Sequence, residues 1–264
     1  MSDKRAVGFL DVLGFKNLIE TMPLEALAGK YEALVEQVRA LLRPQSVNDH
    51  PTLFPNRGVG HQWCIQSIFS DSIILVANED TDEACLELLV YAWRLSQLFL
   101  AAGMPLRGAL HYDEMHVNET VGVFLGKALS GAYKAEMQQD WIGVCVNDSL
   151  EGRYKSLFVQ CQNQESMLFD LFRRYPVPLK DGTAKEMHTL NWRYNYVVEK
   201  GTRSLFPPTT ELAVRRKQQN TLAYAKAVVD SGRIYSQDQG KAPVELRAFF
   251  VGERFPPFPH GDDL

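Results

Sequence analysis

The sequence predicts an α+β fold. Three observations lead there. Short apolar runs of strand character are bounded by Gly, Pro, Asn or Asp. Two long stretches carry leucine and valine at helical spacing. The two kinds of segment follow one another in the order β-α-β-β-α-β, with further strands and helices behind.

The elements read as follows. Residues 5–13 (RAVGFLDVL) form a first strand, closed by Gly14. Residues 24–43 form a helix with an apolar stripe. Residues 44–61 are a loop rich in Pro, Asn and Gly. Residues 62–69 and 72–77 form a hairpin with Ser70 and Asp71 at its turn. Residues 81–102 form a second long helix, ended by Gly103 and Pro105. Strands follow at 106–112 and 120–124, then a helix over 126–140 introduced by Gly126, then a strand at 141–146. This is the split-βαβ, ferredoxin-like order.

Beyond about residue 150 the pattern loosens. PVPLKDG, FPPTT and FPPFPHGDD read as loops, 190–199 as a strand and 210–232 as a helix. The expectation is a core over 1–150 and an α/β elaboration over 151–264, packed on it within the same domain.

Composition narrows the function classes. A hydrophobic fraction of 45% and a charged fraction of 23% are those of an ordinary globular protein. Net charge −4 argues against a surface built for phosphate backbones, so no nucleic-acid partner is expected, although a local basic pocket is compatible. The four cysteines (Cys64, Cys85, Cys145, Cys161) form no C-x-x-C pair, so reduced cytosolic thiols are expected rather than disulfides or a zinc knuckle. The charged N-terminus enters a strand directly, so no signal peptide is expected. The apolar stretch at 84–102 is interrupted by Glu87, Arg94, Ser96 and Gln97 and reads as an amphipathic helix, not a membrane span. A cytoplasmic location without membrane partners follows as an expectation.

Two aspartates carry the chemistry. Asp11 ends the first apolar strand against a Leu-Gly-Phe turn, and Asp71 sits in the hairpin turn of FSDSIIL. In a β-α-β-β sheet those two places lie side by side. Carboxylates brought that close repel unless a cation stands between them. Magnesium, held by one or two carboxylates and substrate phosphates, fits. Amides of Leu13, Gly14, Phe15 and Lys16 would then face the phosphates. Taken singly, each aspartate is equally a turn residue; the pair, in matching frames, favours a site. HYDEMH (111–116) and the run RRK (215–217) read more simply as a polar strand end and a solvated helix face. Tyr133 and Phe124 read as core, with base stacking as the alternative, and Trp63 and Trp141 as core or interface.

These motifs resemble a family. FLDVLGF and IFSDSIIL are similar to the two metal-binding aspartate segments of class III nucleotidyl cyclases, the adenylate and guanylate cyclase catalytic domains. LRGALHYDEM resembles that family's Arg-Ile-Gly-Ile-His strand, with Arg107 and His111 at the same spacing, and LGKALSGAYKAE resembles its Gly-Asn-x-Val-Asn-x-Ala-x-Arg segment. The resemblance spans roughly residues 6–146. It implies a cyclase core, a head-to-tail homodimer with active sites at its interface, and two Mg2+ or Mn2+ ions on Asp11 and Asp71. It also implies a nucleoside triphosphate substrate.

The departures also carry information. The family's transition-state asparagine and arginine fall on Ser130 and Lys134, and a lysine is a point charge where arginine is a fork. Arg107 faces either the phosphates or a solvated strand surface. The purine-reading lysine and aspartate fall near Ser67 and Val123, where neither purine pattern survives. A site that reads a base by hydrogen bonds loses that base when its readers change. The combination is most like the bacterial Pycsar pyrimidine cyclases of antiphage defence, which make cyclic UMP or cyclic CMP for a separate effector protein. The resemblance therefore implies UTP or CTP as substrate. Three alternatives are kept: a purine cyclase with an unusual base pocket, a catalytically inactive nucleotide-binding module, and a relative of the diguanylate cyclases. The last is disfavoured because FSDS lacks the two glycines of the GGDEF hairpin.

Overall fold

The computed structural model describes residues 3–42, 64–160, 162, 171–192 and 210–230. Its centre is one mixed sheet. Strand β1 (Asp3–Val12) leads through a short helix α1 (Phe15–Thr21) into α2 (Leu24–Leu42). The hairpin β2 (Cys64–Phe69) and β3 (Ser72–Ala77) precedes α3 (Asp82–Ala101). Then come β4 (Leu106–Asn118), β5 (Val123–Gly126), α4 (Lys127–Gln138) and β6 (Val144–Val146). The short helices α5 (Asp148–Arg153) and α6 (Lys155–Gln160), the hairpin β7 (Phe172–Pro178) and β8 (Ala184–Leu190), and α7 (Leu212–Asp230) complete the described chain.

The strands lie in the order β2-β3-β1-β4-β6-β8-β7, with β5 paired to β4. Only the β4–β6 pairing is parallel among them. The β-α-β-β-α-β order thus holds from β1 to β4, and β5, α4 and β6 follow it. The strand at 141–146 is shorter than expected and covers only its last three residues. The strand at 106–112 is longer, because the polar residues HYDEMH continue to pair, with β1 on one side and β5 on the other. The strand expected at 120–124 starts later, at Val123, after a turn closed by Gly122.

Alternation along β1 sets the two faces. Ala6, Leu10 and Val12 join Ile73, Leu75, Leu106 and Leu110 beneath α2 and α3. The opposite face carries Val7, Phe9 and Asp11 toward α4. There Val7 clusters with Ile65, Val76, Met115 and Ala128, while Phe9 meets the ring of Tyr133 edge-on at 5.3 Å. Helix α3 is not amphipathic as expected: Glu87, Arg94, Ser96 and Gln97 are all buried with its apolar residues. Thr81 caps it, accepting from the Ala84 amide at 3.2 Å. No helix among the described residues is long and apolar enough to cross a membrane.

Among the described residues after 150 there is more strand than the sequence suggests. PVPLKDG is not a loop throughout: Pro176, Val177 and Pro178 belong to β7, and only the following residues turn. β7 is the edge strand among the described residues, and an edge tolerates a missing amide donor. β8 pairs with β6, so this hairpin extends the central sheet. Of the strand expected at 190–199, Leu190 ends β8 and Asn191 and Trp192 follow it outside any strand; 193–199 lie outside the described residues. So do the loop 44–61, Trp63 and Cys161. Trp141 is core: its ring meets Tyr224 at 4.6 Å and Tyr175 at 5.6 Å, and its indole N–H donates to Gln139 Oε1 at 2.8 Å.

Replacing Trp141 by Ala removes this hub between α7, β7 and the α4–β6 connection. The expected loss is about 3–5 kcal/mol, read as a drop in the urea midpoint with an unchanged slope.

Candidate metal and nucleotide site

The register of β1 builds the site. Asp11 stands opposite Ser72 of β3 and opposite Arg107 of β4. Residues directly opposite share a face, so Arg107 projects to the Asp11 side of the sheet. Asp71 enters from the β2–β3 turn, whose carbonyl accepts from the Val12 amide at 2.9 Å. The turn has only two residues, and Ser70 holds φ 56° to close it, a left-handed conformation uncommon for serine. The two aspartates are therefore brought together, as strand-end reasoning expects.

Asp11 is electrostatically crowded. Burial, then Glu136, then Asp71 push its carboxyl up to about 6 from 3.8, against the opposing charges of Arg107 and Lys217. Tyr31 of α2 adds to this corner. Its ring packs on Phe15 at 6.0 Å and Phe99 at 5.4 Å. Its hydroxyl is buried without a hydrogen-bond partner among the described residues, and burial, Asp71 and Asp11 all raise its pKa. A buried polar group is costly unless it is paired. Tyr31 was not singled out from the sequence, and its place in a leucine-rich helical stripe gives no sign of this position.

The glycine turn follows directly. Leu13 is half-buried, and its amide donates to Pro105 O at 2.9 Å. Gly14 has φ 77° and N-caps α1 without a side-chain hydrogen bond. Phe15 packs against the core, whereas Lys16 is solvent-exposed with Glu20 3.8 Å from its ammonium.

Arg107 lies inside the fold. It is not on a solvated strand surface; it is 5% exposed and forms an ion pair with Glu136, which is 1% exposed. Its Nη1 also donates to Gln139 O at 3.4 Å. Its fork is thus engaged by α4 and by the segment after it, and it acts on Asp11 through its charge. The close approach of α4 makes this possible. Ala128, Ala132 and Glu136 recur at helical spacing on its buried face. A Cβ at Gly131 would lie 2.6 Å from the His111 imidazole. His111 itself lies 3.2 Å from Ser149 Oγ through Nδ1, so it serves this contact.

The remaining expected residues are dispersed. Ser130 and Lys134 lie exposed on the outer side of α4, beside half-exposed Tyr133. Ser67 sits in β2 opposite Ile74, whereas Val123 begins β5 opposite Asn118. Three strands, β3, β1 and β4, separate β2 from β5, so one chain does not bring Ser67 and Val123 together. Phe124 packs in the apolar cluster with Val7 and Ile65. The run RRK is not simply solvated. Arg216 pairs with the buried carboxylate of Asp140, and Lys217 is half-buried.

Among the described residues no group of three or more His, Cys, Asp or Glu side chains forms a metal cage. The donors present are two hard carboxylate groups, Asp11 and Asp71. That set fits a hard divalent cation that takes its other ligands from phosphates, backbone and water.

Asp11 sets a pH dependence whose sign follows from its raised folded value. Below about pH 4 the carboxyl is protonated in both states and costs nothing. Between the unfolded value of 3.8 and the folded value of about 6, only the unfolded state ionises. Stability is therefore lost as pH rises through that window. In metal-free protein, the Asp11 carboxyl carbon followed by NMR should titrate near 6, and added Mg2+ should lower its midpoint. Asp11→Asn should flatten the stability profile between pH 4 and 6. Glu136→Ala leaves Arg107 buried and unpaired, so a loss of about 3–5 kcal/mol in chemical denaturation is expected.

No family model matches the sequence, and no curated protein matches it. Among solved structures, the catalytic core of a rhodopsin-guanylyl cyclase with converted specificity, in complex with ATPαS, is similar over 72% of this chain and 95% of that chain. The identity is 10% and the TM-score 0.43, a likeness too slight to bear on what this chain does.

Proposed function

We propose that this protein is a nucleotidyl cyclase that converts UTP or CTP to the 3′,5′-cyclic monophosphate and pyrophosphate. The observation that carries the reading is the crowded pair Asp11 and Asp71, set at neighbouring strand ends beside a glycine turn. Asp11 and Asp71 would hold two Mg2+ or Mn2+ ions. Bound there, such ions lower the pKa of a ribose hydroxyl and neutralise a triphosphate.

The chain's own groups divide the remaining work. Asp11 is fixed by its two backbone neighbours, and Arg107 offsets the acidic field around it. The amides of Gly14, Phe15 and Lys16 line the turn, while the Leu13 amide is taken by Pro105 O; the first amides of a helix lack intrahelical partners and suit an anion. The ribose 3′-oxygen attacks the α-phosphorus, its proton passes to solvent, and the bond to the pyrophosphate oxygen breaks. Ser130 and Lys134, exposed on α4, would be offered by a second copy in a homodimer and stabilise charge growing on the α-phosphate.

The pyrimidine preference rests on the motif resemblance, through the loss of the purine readers near Ser67 and Val123. The antiphage setting, the cytoplasmic location and the separate effector that would answer the product rest on it too. A catalytically inactive binding module has less support, since binding alone does not require two metal carboxylates.

Metal-dependent pyrophosphate release tests the reading. Wild-type protein with Mn2+ and UTP or CTP should release pyrophosphate, and chelation should stop it. Folded Asp71→Ala should lose at least about a hundredfold in rate, the scale of removing an electrostatic group that acts in the transition state. An unchanged rate in that variant would falsify the assignment.

A further inference from the structure

Helices α1 and α2 and the β2–β3 turn form a cleft of about 600 Å³. That is the size of a pocket that takes a small organic molecule. Its walls are mostly apolar: Phe15 and Ile19 come from α1, Leu27, Tyr31 and Val35 from α2, and Ile68 from β2. Leu27 and Val35 belong to the buried core, so the floor is fixed by packing. Edge-on ring contacts hold Tyr31 between Phe15 at 6.0 Å and Phe99 at 5.4 Å. Other lining residues leave apolar surface to water: Ile19 is 50% exposed and Leu24 72%. Concave apolar surface of this kind, with polar groups beside it, suits a bound apolar body.

The charge on the cleft has one sign. Among the described residues, Glu32 and Glu36 line it and no Lys or Arg does. Both carboxylates are exposed, one helical turn apart on α2, a spacing at which like charges repel. The nearby cations Lys16 of α1 and Lys30 of α2 stand outside the lining, and the Lys16 ammonium is 3.8 Å from Glu20. Apolar walls with two carboxylates complement an apolar body that carries a cationic head.

Two lining residues tie the cleft to the aspartate corner. Phe15 opens α1 directly after Gly14, and Ser70 shares a two-residue turn with Asp71. The Asp71 carbonyl accepts from the Val12 amide at 2.9 Å, one residue beyond Asp11. A molecule packed against Phe15 and Ser70 therefore bears on the glycine turn and on Asp71.

We propose that the α1–α2 cleft binds a small organic cation with an apolar body, an alkylammonium in its simplest form, and that its occupancy adjusts the Asp11–Asp71 corner. The regulatory half rests on the cyclase reading; binding is testable without it.

The probe is decyltrimethylammonium, kept below its micelle-forming concentration and titrated calorimetrically into the full-length chain. One molecule should bind per chain, with affinity rising about fourfold for each methylene from the hexyl to the decyl homologue. Decyl sulfate, with the same body and the opposite charge, should bind more weakly. Ala28, which also lines the cleft, gives a filling variant: A28F should weaken binding at least about tenfold, because occupied volume leaves no room for the chain. L24S changes an exposed side chain, so it spares the fold and should weaken binding severalfold. E32Q should lose a few-fold, the scale of an exposed ion pair. The inference is overturned if decyltrimethylammonium does not bind, or if decyl sulfate binds equally well. It is also overturned if L24S and folded A28F both bind as the wild type does. A wild-type dimer that L24S splits into monomers would assign the cleft to a second copy and overturn it too. Binding in the cleft without cyclisation of any nucleotide would keep the site and sink the cyclase reading. Cyclisation at a rate that a saturating probe leaves unchanged would keep the cyclase reading and overturn the regulatory half.

Discussion

The pairing of β1 with β3 on one side and β4 on the other sets Asp11 and Arg107 at the centre of the site. It places Asp11 opposite both Ser72 and Arg107. Because side chains alternate, a slip of one residue would turn Asp11 into the Leu10 and Val12 face, among the apolar side chains beneath α3. The apolar residues of β1 therefore hold the carboxylate in place by occupying the other face. The cost is a carboxylate crowded by Glu136 and Asp71, and that crowding makes the corner receptive to cations.

The second constraint is the nearness of α4 to the sheet. Ala128, Gly131 and Ala132 leave room for Glu136 to reach Arg107. The residues following α4 then carry this lock outward. Gln139 donates to Gly108 O at 2.9 Å, and Asp140 receives Arg216. Helix α7 is thereby joined to the start of β4 through a short chain of polar contacts. The C-terminal hairpin extends the same sheet, β8 pairing with β6.

What the sequence disclosed follows from physical range. Strands β1 to β3 and helices α2 and α4 were legible because alternation and helical spacing are local signals. The nearness of Asp11 and Asp71 was legible because strand order follows from short connections. Local pattern failed where a distant partner decides. HYDEMH looked like a strand end until β5 paired with it. Pro176 and Pro178 looked like a loop because edge position cannot be read locally. Arg107 looked exposed because its partner Glu136 lies on another element. RRK looked solvated because the partner of Arg216, Asp140, lies 76 residues away. Tyr31 gave no local sign either, since its buried hydroxyl sits in a leucine-rich helical stripe.

The central claim is that the Asp11–Asp71 corner performs metal-dependent chemistry on a pyrimidine nucleoside triphosphate. The most direct measurement is incubation of purified protein with each of ATP, GTP, CTP and UTP plus Mn2+, with the products identified by mass spectrometry. The account predicts a 3′,5′-cyclic monophosphate from UTP or CTP in clear excess over the purine products. A preference for ATP or GTP would contradict the pyrimidine assignment, and no cyclic product from any of the four would contradict the claim itself.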